Sequence, residues 1–167
     1  EIYETDTEGS AVVAREIATL IRAKAEKGMA CVLGIPGGST PMKVYKEMVK
    51  LQQREGLSFK NVFIFNVNEF FPVSLKQHSN GKILREYLIN KVDLPEGHFF
   101  TPDESITRDN VFEFCQNYEA KIEELNSCLA DPKCYEKIGF NVNKTFKTEN
   151  TIGELETFLL MSKEKKN

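Results

Sequence analysis

Two short apolar runs, each followed by a turn and a helix-like pattern, constrain this chain most. The first, Met29-Ala30-Cys31-Val32-Leu33-Gly34-Ile35, shows no polar–apolar alternation, so it reads as a strand covered on both faces. The second, Asn61-Val62-Phe63-Ile64-Phe65-Asn66-Val67, reads as another strand that ends in the polar pair Asn68-Glu69. Helical spacing separates them. Val13, Ile17, Leu20 and Ile21 recur every three or four residues within 7–27, and Gly28 stands where a helix stop belongs. Val44, Met48 and Leu51 share one side of a second helix, with Pro41 at its first position and Thr40 before it as a cap. Ile83, Leu84, Tyr87 and Leu88 mark a third helix over 80–90, and Val111, Phe114, Cys115, Tyr118 and Ile122 a fourth over 107–125. A short strand is expected over 97–100. Strands alternating with helices imply βαβ units and a parallel sheet, whose crossovers take the right-handed sense.

The rest of the chain is less patterned. Asp131-Pro132-Lys133 breaks any helix after Asn126, and 154–166 has the spacing of a final amphipathic helix with a basic end. No repeat, low-complexity tract or long linker divides the 167 residues, so a single domain over 1–167 is expected. No run approaches the ~18 apolar residues of a membrane span, and the opening Glu1-Ile2-Tyr3-Glu4 has no secretory character. A cytoplasmic protein without a membrane partner is the expectation. The net charge of −3, without a basic block, argues against a dedicated nucleic-acid binder. Four cysteines, Cys31, Cys115, Cys128 and Cys134, form no C-x-x-C pair, and two histidines are too few for a four-ligand cluster. Reduced thiols, no metal and no cofactor are therefore expected.

Chemistry is expected beyond the carboxyl ends of the strands, where open parallel sheets collect ligands. Two segments leave strands there. Gly34-Ile35-Pro36-Gly37-Gly38-Ser39-Thr40-Pro41 combines glycines that allow close approach with two hydroxyls, and it runs into the positive end of a helix. It is either a phosphate cradle or a plain strand-to-helix turn. It matches neither the Walker pattern nor the dinucleotide fingerprint, which leaves a small phosphorylated metabolite as the ligand class. The second segment is Phe65-Asn66-Val67-Asn68-Glu69-Phe70-Phe71-Pro72. A carboxylate here would act as a base beside the ligand. The residue nearest the strand end is an amide, Asn68, and Glu69 is the segment's one carboxylate, with local capping as the competing role.

Read together, Leu33–Lys46, Leu57–Val62, Phe65–Pro72 and Tyr118–Ile122 resemble the glucosamine-6-phosphate deaminase (isomerase) family, whose superfamily includes 6-phosphogluconolactonase. The likeness runs over about 32–125. It implies an open, mostly parallel α/β sheet of Rossmann-like build with helices on both faces, incomplete relative to the family, whose chains are longer. It implies that Gly37, Gly38, Ser39 and Thr40 grip a sugar phosphate through amides and hydroxyls. In the family an Asp opening an Asp-Glu-Tyr triplet shuttles the proton between C1 and C2; that position is Asn68 here, followed by Glu69 and Phe70. The ring-opening Asp, His and Glu of the family fall, on the nearest echo, at Tyr135, Lys137 and Val142. The Arg and Lys that complete the family's phosphate grip find no counterpart.

Three functions follow as expectations. One is a glucosamine-6-phosphate deaminase or isomerase, impaired as it stands because Asn68 is an amide; general-base loss costs about 10²–10⁴ in rate. A non-catalytic relative that binds a sugar phosphate or a protein is the alternative, and a lactonase-like hydrolase ranks below both. Homo-oligomers are common in the family. His78 reads as a solvated loop residue, His98 as structural, and Phe63, Phe65, Phe99 and Phe100 as core.

Overall fold

The computed structural model describes residues 2–73 and 79–127. Helix α1, Asp6–Glu26, starts where Thr5 accepts a hydrogen bond from the Glu8 amide, as an N-cap should. Strand β1, Cys31–Ile35, leads through the glycine loop into α2, Met42–Glu55. Strand β2, Val62–Asn66, leads through the Asn68–Glu69 segment toward α3, Asn80–Tyr87, which is followed by a single 3₁₀ turn at Ile89–Lys91. The two-residue strand β3, Phe99–Phe100, precedes α4, Val111–Ser127.

Among the described residues the strands form one sheet in the order β1-β2-β3, every pairing parallel, with Cys31 opposite Val62 and Ile64 opposite Phe99. The open parallel α/β architecture is therefore present. Its helices lie on both faces, which explains why the strands lack alternation. Cys31, Leu33, Ile35, Val62 and Ile64 meet α1, α2 and α3 through Ala18, Ile21, Met48, Leu51 and Leu84. Phe63 and Phe65 face the other way, onto Leu125, Tyr118 and Ile122 of α4. Val62, Ile64, Met48, Leu84 and Leu125 are fully buried, each such side chain contributing about 1.5–3 kcal/mol through removal from water.

Local chemistry moves three boundaries. Pro41 is not the first helical residue of α2 but the residue before it, and no side chain caps this helix. Thr40 therefore does not cap. The fourth helix begins later than its apolar pattern suggests, because Asn110 folds back: its Oδ1 accepts from the Thr107 amide at 2.7 Å and its Nδ2 donates to the Ser105 carbonyl at 3.0 Å. The third helix stops at Tyr87, and its last turn tightens into the 3₁₀ segment. Phe63 and Phe65 are buried, whereas Phe99 and Phe100 pack against the two cores only partly covered. His98 is structural in geometry: its ring stacks on Phe63 with centroids 3.9 Å apart, and its Nδ1 lies 2.9 Å from the Val62 carbonyl. His78, Cys128, Cys134, Tyr135, Lys137, Val142 and the helix expected over 154–166 lie outside the described residues.

The start of α3 carries an unusual cap. Ser79 accepts from the Lys82 amide, and the Glu69 carboxylate reaches across from the β2 loop to take the Asn80 and Gly81 amides, each at 2.8 Å. Negative charge on the free amides of a helix start is favourable.

Two outcomes follow from this architecture. Glu69→Ala strips α3 of its carboxylate cap and is expected to cost about 2 kcal/mol of stability, with Glu69→Gln costing less; urea titrations measure both. Burial holds the His98 imidazolium below its ordinary pKa, the Val62 carbonyl opposing that shift. The folded chain thus binds this proton less tightly than the unfolded one. His98 leaves stability undiminished above about pH 6.5 and lowers it as pH falls through that value. The urea midpoint should be lower at pH 5.5 than at pH 7.5, and His98→Phe should narrow that difference.

Candidate functional site

Both loops that the sequence singles out emerge at the carboxyl edge of the sheet. The glycine loop leaves β1 at Ile35 and is pinned from α2, whose buried Tyr45 donates its hydroxyl hydrogen to the Pro36 carbonyl. Burial raises the Tyr45 pKa well above the ordinary phenol value, so this donor stays protonated. Gly38 has φ of +98°, a backbone region that side chains disfavour. Among the described residues, the amides of Gly37, Gly38, Ser39 and Thr40 donate to no internal acceptor, and neither hydroxyl forms a hydrogen bond. The first turn of α2 contains no acidic residue. Lys43, within that turn, is engaged by Asp6 Oδ1 at 2.6 Å, and this contact holds the Asp6 carboxyl below its usual range.

The second loop is ordered by its own polar groups. Asn66, 3% exposed at the end of β2, donates its Nδ2 to Thr101 Oγ1 at 3.1 Å and to Glu69 Oε2 at 3.3 Å. Its Oδ1 is buried and takes no hydrogen bond from a described residue. Glu69 also accepts from Ser79 Oγ at 3.0 Å and from the Phe70 amide at 3.0 Å. With the α3 amides added, its two oxygens face five donors. A carboxylate so enclosed acts as a cap. Asn68 differs: its side chain is exposed and makes no hydrogen bond among the described residues, while its carbonyl accepts from Asn80 Nδ2 at 2.9 Å.

Asn80 joins the two loops. It is 4% exposed, and an ideal Cβ built on Gly37 would stand 2.3 Å from the Asn80 Cβ. The glycine at position 37 is what lets the loops approach. The structure thus brings together Gly37, Asn68 and Glu69 around one residue that sequence reasoning passed over, the first two through its side chain and Glu69 through its backbone amide; an Asn directly after Ser79 looks like an ordinary helix start. The sequence reading ran this strand on through Val67; Asn66 closes it instead, and its partners were not legible.

On the α4 face of the same edge lies a cavity of about 540 Å³. Asn68 and Glu69 border it, together with Phe65, Phe70, Phe114 and Tyr118, and Gly37–Thr40 do not. The Tyr118 hydroxyl ties α4 to the sheet edge, 2.9 Å from both the Asn66 and Phe100 carbonyls. Burial pushes its pKa up to about 12, so it remains a donor at neutral pH. No group of three or more His, Cys, Asp or Glu residues suited to a metal occurs among the described residues. Cys31 and Cys115 are free thiols, the first buried and the second exposed. No described helix is long and apolar enough to cross a membrane.

Comparison with known proteins places this geometry. Residues 4–138 match the family described as glucosamine-6-phosphate isomerases/6-phosphogluconolactonase. A putative glucosamine-6-phosphate deaminase-like protein of Bacteroides thetaiotaomicron is 44% identical over 124 residues, 74% of this chain and 19% of that protein. Glucosamine-6-phosphate deaminase 2 of Giardia intestinalis is 31% identical over 129 residues, 76% of this chain and 46% of that one. Among solved structures, a monomeric glucosamine-6-phosphate deaminase superposes with a TM-score of 0.67 at 27% identity, covering 74% of this chain and 49% of its own. The 6-phosphogluconolactonase of Thermotoga maritima, at 23% identity and a TM-score of 0.56, shares the fold. The chain thus spans less than half the length of these relatives. With residues 4–138 matched, the chain belongs to the glucosamine-6-phosphate isomerase/6-phosphogluconolactonase family.

Proposed function

We propose that this chain binds an amino-sugar phosphate at the carboxyl edge of its sheet and that its own proton-transfer chemistry is impaired. The observation that carries the reading is the open row of amides at Gly37–Thr40, without internal acceptors among the described residues. They lead into a helix start that has neither a side-chain cap nor an acidic residue. Donors and a positive dipole end in that state favour an oxyanion such as a phosphate. The hydroxyls of Ser39 and Thr40 add two further donors.

The impairment follows from Asn68. An amide has nearly the shape of a carboxylate and no basicity, so a ligand's C1–C2 region can lie beside it without losing a proton. Glu69 cannot replace the missing base, since its oxygens already serve α3, Ser79 and Asn66. The deaminase relatives support an amino sugar over a lactone as the ligand. A cytoplasmic setting and homo-oligomeric assembly accompany this reading, drawn from the family.

Titration calorimetry with glucosamine 6-phosphate and with glucosamine tests the binding. Heat with the phosphate ester alone is expected; equal or absent heat for both removes the sugar-phosphate reading. Ammonia release from glucosamine 6-phosphate is expected at background for the wild type and to stay there for Asn68→Asp, because Tyr135, Lys137 and Val142 also depart from the family pattern. Turnover by the wild type would sink the impairment claim. A rise of about 10²–10⁴ in Asn68→Asp would instead make Asn68 the one defect.

A further inference from the structure

We infer that Asn80 is a positioning residue of this site, one that sets the separation between the glycine loop and the Asn68 loop. The inference rests on the sugar-phosphate reading above and names how the site tells a sugar phosphate from free phosphate. Three contacts converge on this one residue. Its backbone amide is fixed on Glu69 Oε1 at 2.8 Å, so its Cα cannot shift without breaking the α3 cap. Its side chain lies against Gly37, so closely that a methyl group there would overlap the Asn80 Cβ, Cγ and Oδ1, at 2.3, 2.4 and 2.4 Å. Its Nδ2 donates to the Asn68 carbonyl at 2.9 Å. One buried carboxamide therefore gauges the gap between two loops that belong to different βα units.

The chemistry of the side chain suits that task. Position 80 needs a flat group thin enough to lie on a glycine and a donor to reach the facing carbonyl; Asn supplies both. Asp would place an acceptor against that carbonyl and a second charge near Glu69. Ala would leave the Asn68 loop untied, and Leu would fill the space without a donor. Neighbouring Ser79 fixes the helix start through the Lys82 amide at 3.2 Å, independently of the Asn80 side chain. The gauge can thus be removed while α3 remains capped.

The consequence is selective. Free phosphate touches only the glycine loop, whereas a sugar phosphate spans from that loop to the Asn68 loop and depends on their spacing. In Asn80→Ala, binding of inorganic phosphate should stay within about twofold of wild type, while glucosamine 6-phosphate should weaken about tenfold, the scale of one positioned hydrogen bond. Calorimetry on wild type and variant, with the thermal midpoint measured alongside, reads both ligands. If Asn80→Ala does not fold, Asn80→Leu retains the packing on Gly37 and is expected to show the same selective loss. Equal weakening of both ligands would assign Asn80 a purely structural role and overturn the proposal, as would unchanged binding of both. Failure of the wild type to bind either ligand removes the sugar-phosphate reading itself and this inference with it; retained binding with an unchanged ratio removes this inference alone.

Discussion

The carboxylate of Glu69 on the open amides of α3 is the contact on which the organisation of the sheet edge depends. A loop after a parallel strand has no ladder to hold it, and its polar groups must find partners elsewhere. Here a single side chain gathers Asn66 from the strand, Ser79 from the helix cap and the first two amides of α3. The loop becomes a wall of fixed shape. Its cost on the proposed reading is chemical: the segment's one carboxylate is committed to structure, and the neighbouring Asn68 is an amide.

The two helix starts at this edge make an instructive contrast. Both α2 and α3 follow strands of the same sheet, and both bring unpaired amides and a positive dipole end to its carboxyl side. At α3 those amides are satisfied from within, by Glu69 and Ser79. At α2 only the Met42 amide finds a local acceptor, the Ser39 carbonyl at 3.3 Å; Pro41 provides no side-chain cap, Lys43 adds positive charge that Asp6 shares, and the amides of Gly37–Thr40 find no acceptor among the described residues. The fold caps one start with its own anion and leaves the loop before the other open, which is the contrast that the proposed ligand-binding role of the glycine loop rests on. The open start is the one reached through glycines, where a ligand can come closest to the backbone.

What the sequence disclosed and what it hid divide along the range of the interactions. Strands β1 and β2 were legible as short, nearly unbroken apolar runs: every residue of β2 is buried, and β1 is buried at Cys31, Leu33 and Ile35. The glycine loop was legible because its composition is local. Thr40 was misread as a cap because a hydroxyl before a helix usually serves as one; the αR backbone at Pro41 moved the helix start beyond its reach. Glu69 was readable as either base or cap, and only a contact eleven residues away, to the Asn80 amide, decides its geometry. Asn80 itself was invisible, since its meaning lies in touching Gly37, a residue more than forty positions earlier.

That last contact bears on how a site of this kind diverges. On the reading proposed above, the exchange of a carboxylate for an amide at Asn68 is a change of one atom type, from oxygen to nitrogen, which by itself asks for no shift in the backbone of the loop. The distance between the loops is held by other atoms: the Asn80 carboxamide, the bare Cα of Gly37 and the carbonyl, not the side chain, of Asn68. On that reading, reactivity and shape belong to different parts of the same residue: the frame runs through the Asn68 carbonyl, while its side chain makes no hydrogen bond among the described residues. An exchange at the Asn68 side chain therefore leaves the frame intact, because no hydrogen bond of that frame among the described residues involves it.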